Sequence, residues 1–158
     1  MTVREITEKY FPAFEKLFCD YYAELDCEDD PLHLFKEYVL PDLKAGLFRT
    51  GVAIKESNNR GGEIVGFVIF QIDDVLNDWN FKEGCGDVRE LYVIPSLRKK
   101  GIGRALLSFA EAALKADGAS EIYTLPTEES ERFFIKCGYA DAGEYCAEAD
   151  NKVFGKNC

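Results

Sequence analysis

Residues Val88-Arg89-Glu90-Leu91-Tyr92-Val93-Ile94-Pro95-Ser96-Leu97-Arg98-Lys99-Lys100-Gly101-Ile102-Gly103-Arg104-Ala105-Leu106-Leu107 decide how this chain is read. An apolar, β-prone run ends at Pro95, which has no N–H to give to a ladder. A short basic loop follows, then two glycines one residue apart. Ile102, Ala105, Leu106, Phe109, Ala110, Ala113 and Leu114 then recur at helical spacing, with Arg104, Ser108, Glu111 and Lys115 opposite. Asp117-Gly118 stops that helix. A helix start carries N–H groups with no intrahelical partner and the positive end of the macrodipole. Glycines there let an anion approach, and Arg98, Lys99, Lys100 and Arg104 add positive charge. The segment reads as a pyrophosphate seat on the end of a strand. The plainer alternative is an ordinary strand-to-helix turn with solvated basic residues. Neither a G-x-x-x-x-G-K-[ST] loop nor a G-x-G-x-x-G fingerprint is present, which discounts both nucleotide motifs.

The chain has 158 residues, enough for one domain, 1–158, with a full core. Its formal net charge is −10, which speaks against a nucleic-acid or anionic-membrane binder. Against that background the four cations at 98–104 stand out. No apolar run reaches membrane-helix length and no signal-peptide core opens the chain, so a cytoplasmic protein is expected. The six cysteines form no C-x-x-C and pair with no histidine at ligand spacing. Free thiols and no metal site are therefore expected, with His33 the lone histidine.

Along the chain the pattern predicts a strand at 2–6 and a helix at 8–25. A second helical stretch at 32–44 is interrupted or kinked near Pro41. Strands are predicted at 51–55 and 64–72, joined by a turn at 57–62, the second strand apolar enough to be buried on both faces. The polar connection 73–86 is longer than a hairpin needs and suggests either a lid, a substrate wall or a packed surface loop anchored by Trp79 and Phe81. After the motif helix come a strand at 121–125, a short helix at 128–136 with Thr127 as N-cap, and strands near 139–147 and 152–155. The order implies a mixed sheet with helices on both faces.

Arg98-Lys99-Lys100-Gly101-Ile102-Gly103 resembles the Q/R-x-x-G-x-G/A signature of the GNAT superfamily of acyl-CoA-dependent N-acyltransferases. The preceding Leu-Tyr-Val-Ile-Pro is similar to that family's fourth strand, and Glu121 to Leu125 to its fifth. Phe133-Phe134-Ile135-Lys136-Cys137-Gly138-Tyr139 resembles the F-Y-x-x-x-G-F ending, with Phe134 where the family often has Tyr. The likeness holds in order over roughly residues 50 to 145. It implies an α/β (α+β) domain with a mostly antiparallel sheet whose central strands splay to admit a pantetheine arm.

The resemblance also implies acetyl-CoA as co-substrate, no metal, and direct attack of a primary amine in a ternary complex. Backbone groups of Leu91, Tyr92 and Val93 would serve the acetyl carbonyl and pantetheine. Arg98, Lys99, Lys100, Gly101, Ile102, Gly103 and Arg104 would hold the pyrophosphate. The amine must lose a proton, and Asp87 and Glu90 are the strand carboxylates available, unless each is merely a structural strand-end charge. Phe134 cannot protonate a leaving thiolate, although a thiol pKa of about 8.5 makes that group tolerable unaided. A non-catalytic acyl-CoA-binding sensor or regulatory module therefore stays open beside the enzyme.

In the resembled family the first two helices line the acceptor side. Here their connection is Asp26-Cys27-Glu28-Asp29-Asp30, with Asp73, Asp74 and Asp78 in the later loop. Asp29 and Asp30 are the candidate substrate-binding residues, guiding a cationic small-molecule amine or basic peptide N-terminus, unless such loops only keep the protein soluble.

Overall fold

The computed structural model describes residues 1–58 and 61–158. The turn expected at 57–62 falls partly outside the described residues. The strands are β1 (Thr2–Glu5), β2 (Arg49–Lys55), β3 (Glu63–Ile72), β4 (Gly86–Val93), β5 (Glu121–Thr124), β6 (Ala140–Cys146) and β7 (Asn151–Asn157). Among the described residues they form one sheet in the order β1-β2-β3-β4-β5-β7-β6. Every neighbouring pair is antiparallel except β4 and β5, which α4 (Ile102–Ala116) connects in parallel.

Helices α1 (Phe11–Glu24), α2 (Pro31–Leu34) and α3 (Leu40–Ala45) cover one face, and α4 and α5 (Glu131–Lys136) the other. The α1 face packs Phe14, Phe18, Phe35, Phe67, Ile69 and Tyr92, while the α4 face packs Val68, Phe70, Val88, Leu106, Leu107 and Phe134. β3 feeds both cores, so nearly every one of its residues is buried, as its unbroken apolar run requires. The stretch α2–α3 is helical throughout, with a π-turn at Phe35–Val39 just before Pro41, the position where the pattern predicts an interruption or kink. Pro41 lacks the N–H that the ladder needs from its position, and the widened turn before it absorbs the defect. Thr127 precedes the 128–136 helical segment as expected, but its side chain makes no capping bond; its hydroxyl meets Ser130 Oγ at 3.1 Å instead.

Two irregularities position the site. β4 and β5 pair only at Gly86↔Ile122 and Asp87↔Tyr123, with one further tie from Thr124 Oγ1 to the Val88 carbonyl at 3.0 Å. Beyond that point β4 continues alone, and its outer edge has no strand partner among the described residues. This is the splay that the family resemblance implied. On the other edge, Ile69 pairs with Glu90 and Phe70 with Val88, so Arg89 is an extra residue, a β-bulge.

Candidate active site

The turn after β4 is built around two left-handed residues, Lys99 (φ 60°) and Gly101 (φ 85°). Only glycine takes such a φ without penalty, which explains Gly101. A Cβ on Gly103 would lie 3.4 Å from the Phe133 ring, so this helix start packs closely on the segment that precedes α5. The first backbone bond of α4 runs from Ala105 N–H to the Gly101 carbonyl at 3.0 Å, and no side chain caps the helix. The N–H groups of Lys99, Lys100, Gly101, Ile102, Gly103 and Arg104 therefore have no acceptor among the described residues. Six unpaired donors at the positive end of a fifteen-residue helix make an anion seat.

The side chains there divide. Lys99 and Lys100 are exposed, Lys100 reaching only to the Ser96 carbonyl at 3.4 Å. Arg104 leans on the Lys136 carbonyl at 3.1 Å, and Ile102 is buried and contributes its N–H alone. Arg98 is engaged by the protein itself. Its Nε donates to the Val93 carbonyl at 2.8 Å, its Nη2 meets Glu24 at 2.7 Å, and its guanidinium lies over the Tyr92 ring. It ties the turn to α1.

β4 also sorts its expected contributors. Ile94 N–H bonds to the Val65 carbonyl, so by two-residue alternation Tyr92 spends its backbone on β3. Leu91 and Val93 turn theirs to the open edge. Tyr92 contributes instead a side chain buried on the α1 face, its hydroxyl on Glu24 at 3.2 Å; its pKa is pushed up to about 12, by burial first and the Glu24 charge second.

On the α1 face a cavity of about 360 Å³ opens beside the bulge. Its walls include Tyr21, Trp79, Asp87, Arg89, Glu90 and Thr127. The bulge at Arg89 puts Asp87 and Glu90 on this same face. Tyr21 of α1 donates its hydroxyl to Glu90. Burial raises the Glu90 carboxyl, and the Tyr21 bond and the Arg89 guanidinium pull it back. Asp87 is only 2% exposed, and its Oδ2 has no partner among the described residues; burial, then the charge of Asp73, push its pKa well above the carboxylate range.

The 73–86 connection is an anchored wall. Asp73, expected at an acidic rim, is buried, and its oxygens accept from Gln71 Nε2, the N–H groups of Phe81 and Lys82, and the Tyr123 hydroxyl. Trp79 lines the cavity, while Phe81 packs against Tyr123. Gln71 and Tyr21 were not among the expected site residues. The acidic connection after α1 does not line the cavity: Asp30 caps α2 by accepting from Leu32 N–H at 3.1 Å, and Asp29 is exposed outside it. Among the described residues no group of three His, Cys, Asp or Glu could hold a metal ion, and the six cysteines are free.

A splayed β4, a bulge facing a cavity and a naked helix start define a class, and the comparisons identify it. Residues 3–139 match the Acetyltransferase (GNAT) family, and the chain belongs to it. It is 32% identical over 83 residues to an aminoalkylphosphonate N-acetyltransferase of Salmonella typhimurium, a match covering 51% of this chain and 52% of that protein. An uncharacterized N-acetyltransferase of Chlorobaculum tepidum is 38% identical over 55 residues, 35% of this chain and 34% of that one. The chain thus matches about half the length of the first relative and a third of the second. Among solved structures, a GNAT-family acetyltransferase of Staphylococcus aureus Mu50 superposes with TM-score 0.73 at 16% identity, over 99% of this chain and 98% of that one. A PaiA N-acetyltransferase of Thermoplasma acidophilum, in complex with coenzyme A, gives 0.72 at 16% identity, over 99% and 98%. No helix of the described residues is long and apolar enough to cross a membrane.

Proposed function

We propose that this chain transfers an acetyl group from acetyl-CoA to a primary amine of a small molecule, by direct attack within a ternary complex. The observation that carries the reading is the turn at 99–104, whose six N–H groups, unpaired among the described residues, end the splayed strand. These donors, with Lys99 and Lys100, suit a pyrophosphate. The open-edge groups of Leu91 suit an amide or acyl carbonyl, and Val93 offers the same edge with its carbonyl already shared by Arg98. Bound acetyl-CoA would supply the activated thioester.

The chain's own residues then manage the amine. Trp79 and Tyr21 wall it, and Glu90, partly open to the cavity, takes its proton as general base. Asp87 is the rival base on the same face. Arg89 is the cation on the cavity wall, and it gives an anionic substituent on the acceptor a partner. That differs from the cationic amine that the acidic connection suggested. An acceptor that carries both an amine and an anion is favoured by this wall, and the Salmonella relative's name points the same way.

A second reading, an acyl-CoA sensor without turnover, is favoured by Phe134. It is buried against Phe133 and Tyr139 and has no proton to give a thiolate. Release of free thiol from acetyl-CoA in the presence of small primary amines, with and without a phosphonate or carboxylate, separates the two.

A further inference from the structure

We infer that Asp73 and the Tyr123 hydroxyl together hold Asp87 as a protonated carboxylic acid, so that Asp87 meets the cavity with a neutral, accepting carbonyl oxygen and Asp73 is its positioning residue. The inference rests on the reading of the cavity as the acceptor site and deepens it, because it leaves removal of the amine's proton to Glu90.

The argument is one of donors and acceptors. The two oxygens of Asp73 accept from four donors: Gln71 Nε2 at 2.8 Å, Phe81 N–H at 3.0 Å, Lys82 N–H at 2.9 Å and the Tyr123 hydroxyl. Four donors on one carboxyl is the arrangement of an ionised group, and it takes the phenol's only proton. Tyr123 pairs with Asp87 in the β4–β5 register and is likewise buried, with only lone pairs left to offer, and Asp87 Oδ2 has no hydrogen-bond partner among the described residues. An ionised Asp87 would set acceptor against acceptor in a site 2% exposed. A proton on Asp87 turns that clash into an O–H···O bond and leaves the second carboxyl oxygen on the cavity side. The chain of bonds begins farther out, since Gln71 also receives Arg89 Nη1 at 3.0 Å and donates to the Trp79 carbonyl at 2.8 Å. Loop wall and carboxyl are thereby one network.

The other charges facing Asp87 are on its own strand. Arg89 works against protonation, but one N–H is committed to Gln71 and its plane lies over the Phe48 ring. Glu90 works for it, and from α1 Tyr21 lines the same cavity, its proton given to Glu90. Burial and the Asp73 charge act in the same direction and are the larger effects.

Infrared spectroscopy of the full chain, with no co-substrate added, tests this. At pH 7 the wild type is expected to show the carbonyl stretch of a protonated carboxylic acid, and Asp87→Asn is expected to remove it. In Asp73→Asn, checked for folding by circular dichroism, the band is expected to disappear at a pH lower by about one unit or more, because a like charge is gone. If that variant does not fold, the Asp87→Asn difference spectrum decides alone. A wild type without the band at pH 7, or a band that survives Asp87→Asn, overturns the inference. Neither result depends on acetyl transfer, so a failure of the proposed reaction registers separately.

Discussion

Asp87 and Glu90 lie three positions apart on one strand and share one face of it. In a regular strand they would point to opposite sides. Arg89 is the extra residue that undoes the alternation, and it leaves Val88 and Leu91 packed toward α4 while both carboxyls face α1. The bulge therefore assembles the polar wall of the cavity from a four-residue stretch.

Glu90→Gln tests which of those carboxyls takes the proton. A general base must be ionised, and burial raises this one, so the wild-type rate falls as pH drops through a value above the ordinary glutamate range. The variant is expected to lose that limb and about a hundredfold or more in kcat. Tyr21→Phe removes a bond that favours the ionised form, so its limb is expected at higher pH than in the wild type. The measurement is kcat/KM against pH for the three proteins.

Gly103→Asp places a carboxylate among the unpaired donors of the turn. Calorimetric titration with acetyl-CoA is expected to show affinity lost by tenfold or more, on the order of 1.4 kcal/mol. A Cβ at this position meets the Phe133 ring at 3.4 Å, which a small shift accommodates, so the thermal transition is expected to stay close to wild type.

Restoring the common residue with Phe134→Tyr is expected to harm stability more than it helps catalysis. The ring is 5% exposed and meets Phe133 and Tyr139 edge-on, so an added hydroxyl needs a partner in an apolar core. A buried unsatisfied hydroxyl costs about 1–3 kcal/mol. Chemical denaturation of both proteins reads the difference directly.

The loop wall carries a pH signature. Asp42 of α3 neighbours Asp78 of the 73–86 loop, and burial followed by that neighbour raises Asp42 to about 6. A carboxyl raised on folding stabilises fully below its unfolded pKa and loses that contribution as pH rises through the folded value. The wild type is thus expected to lose stability between about pH 4 and 6 from this pair. Asp78→Asn is expected to gain thermal stability over the wild type at pH 8 relative to pH 4.

Much of this was legible in the chain. The 3.6-residue spacing after Gly103 and the apolar run of β3 are local signals, and local signals place elements. The glycine turn was legible because a positive φ and an anion seat both demand glycine within a few residues. What stayed hidden is non-local. Tyr21 reads as one more aromatic on an apolar helix face, yet its hydroxyl serves Glu90, 69 positions away. Asp73 reads as a loop carboxylate, since nothing nearby in sequence announces Tyr123 as its donor. Arg98 reads as a free cation because Glu24 is 74 positions distant. The bulge, a one-residue change in register, has no compositional mark, and without it Asp87 and Glu90 would diverge.

The central claim is acetyl transfer through the 99–104 turn and the α1-face cavity. The direct measurement is thiol release from acetyl-CoA, with the N-acetylated product followed by mass spectrometry, across small primary amines with and without an anionic substituent. The account predicts thiol and product in equal amounts with at least one amine, loss of both in Gly103→Asp, and a preference for amines bearing an anion that Arg89→Gln abolishes. Tight binding of acetyl-CoA with no thiol released above the spontaneous rate, for any amine of the set, would contradict it.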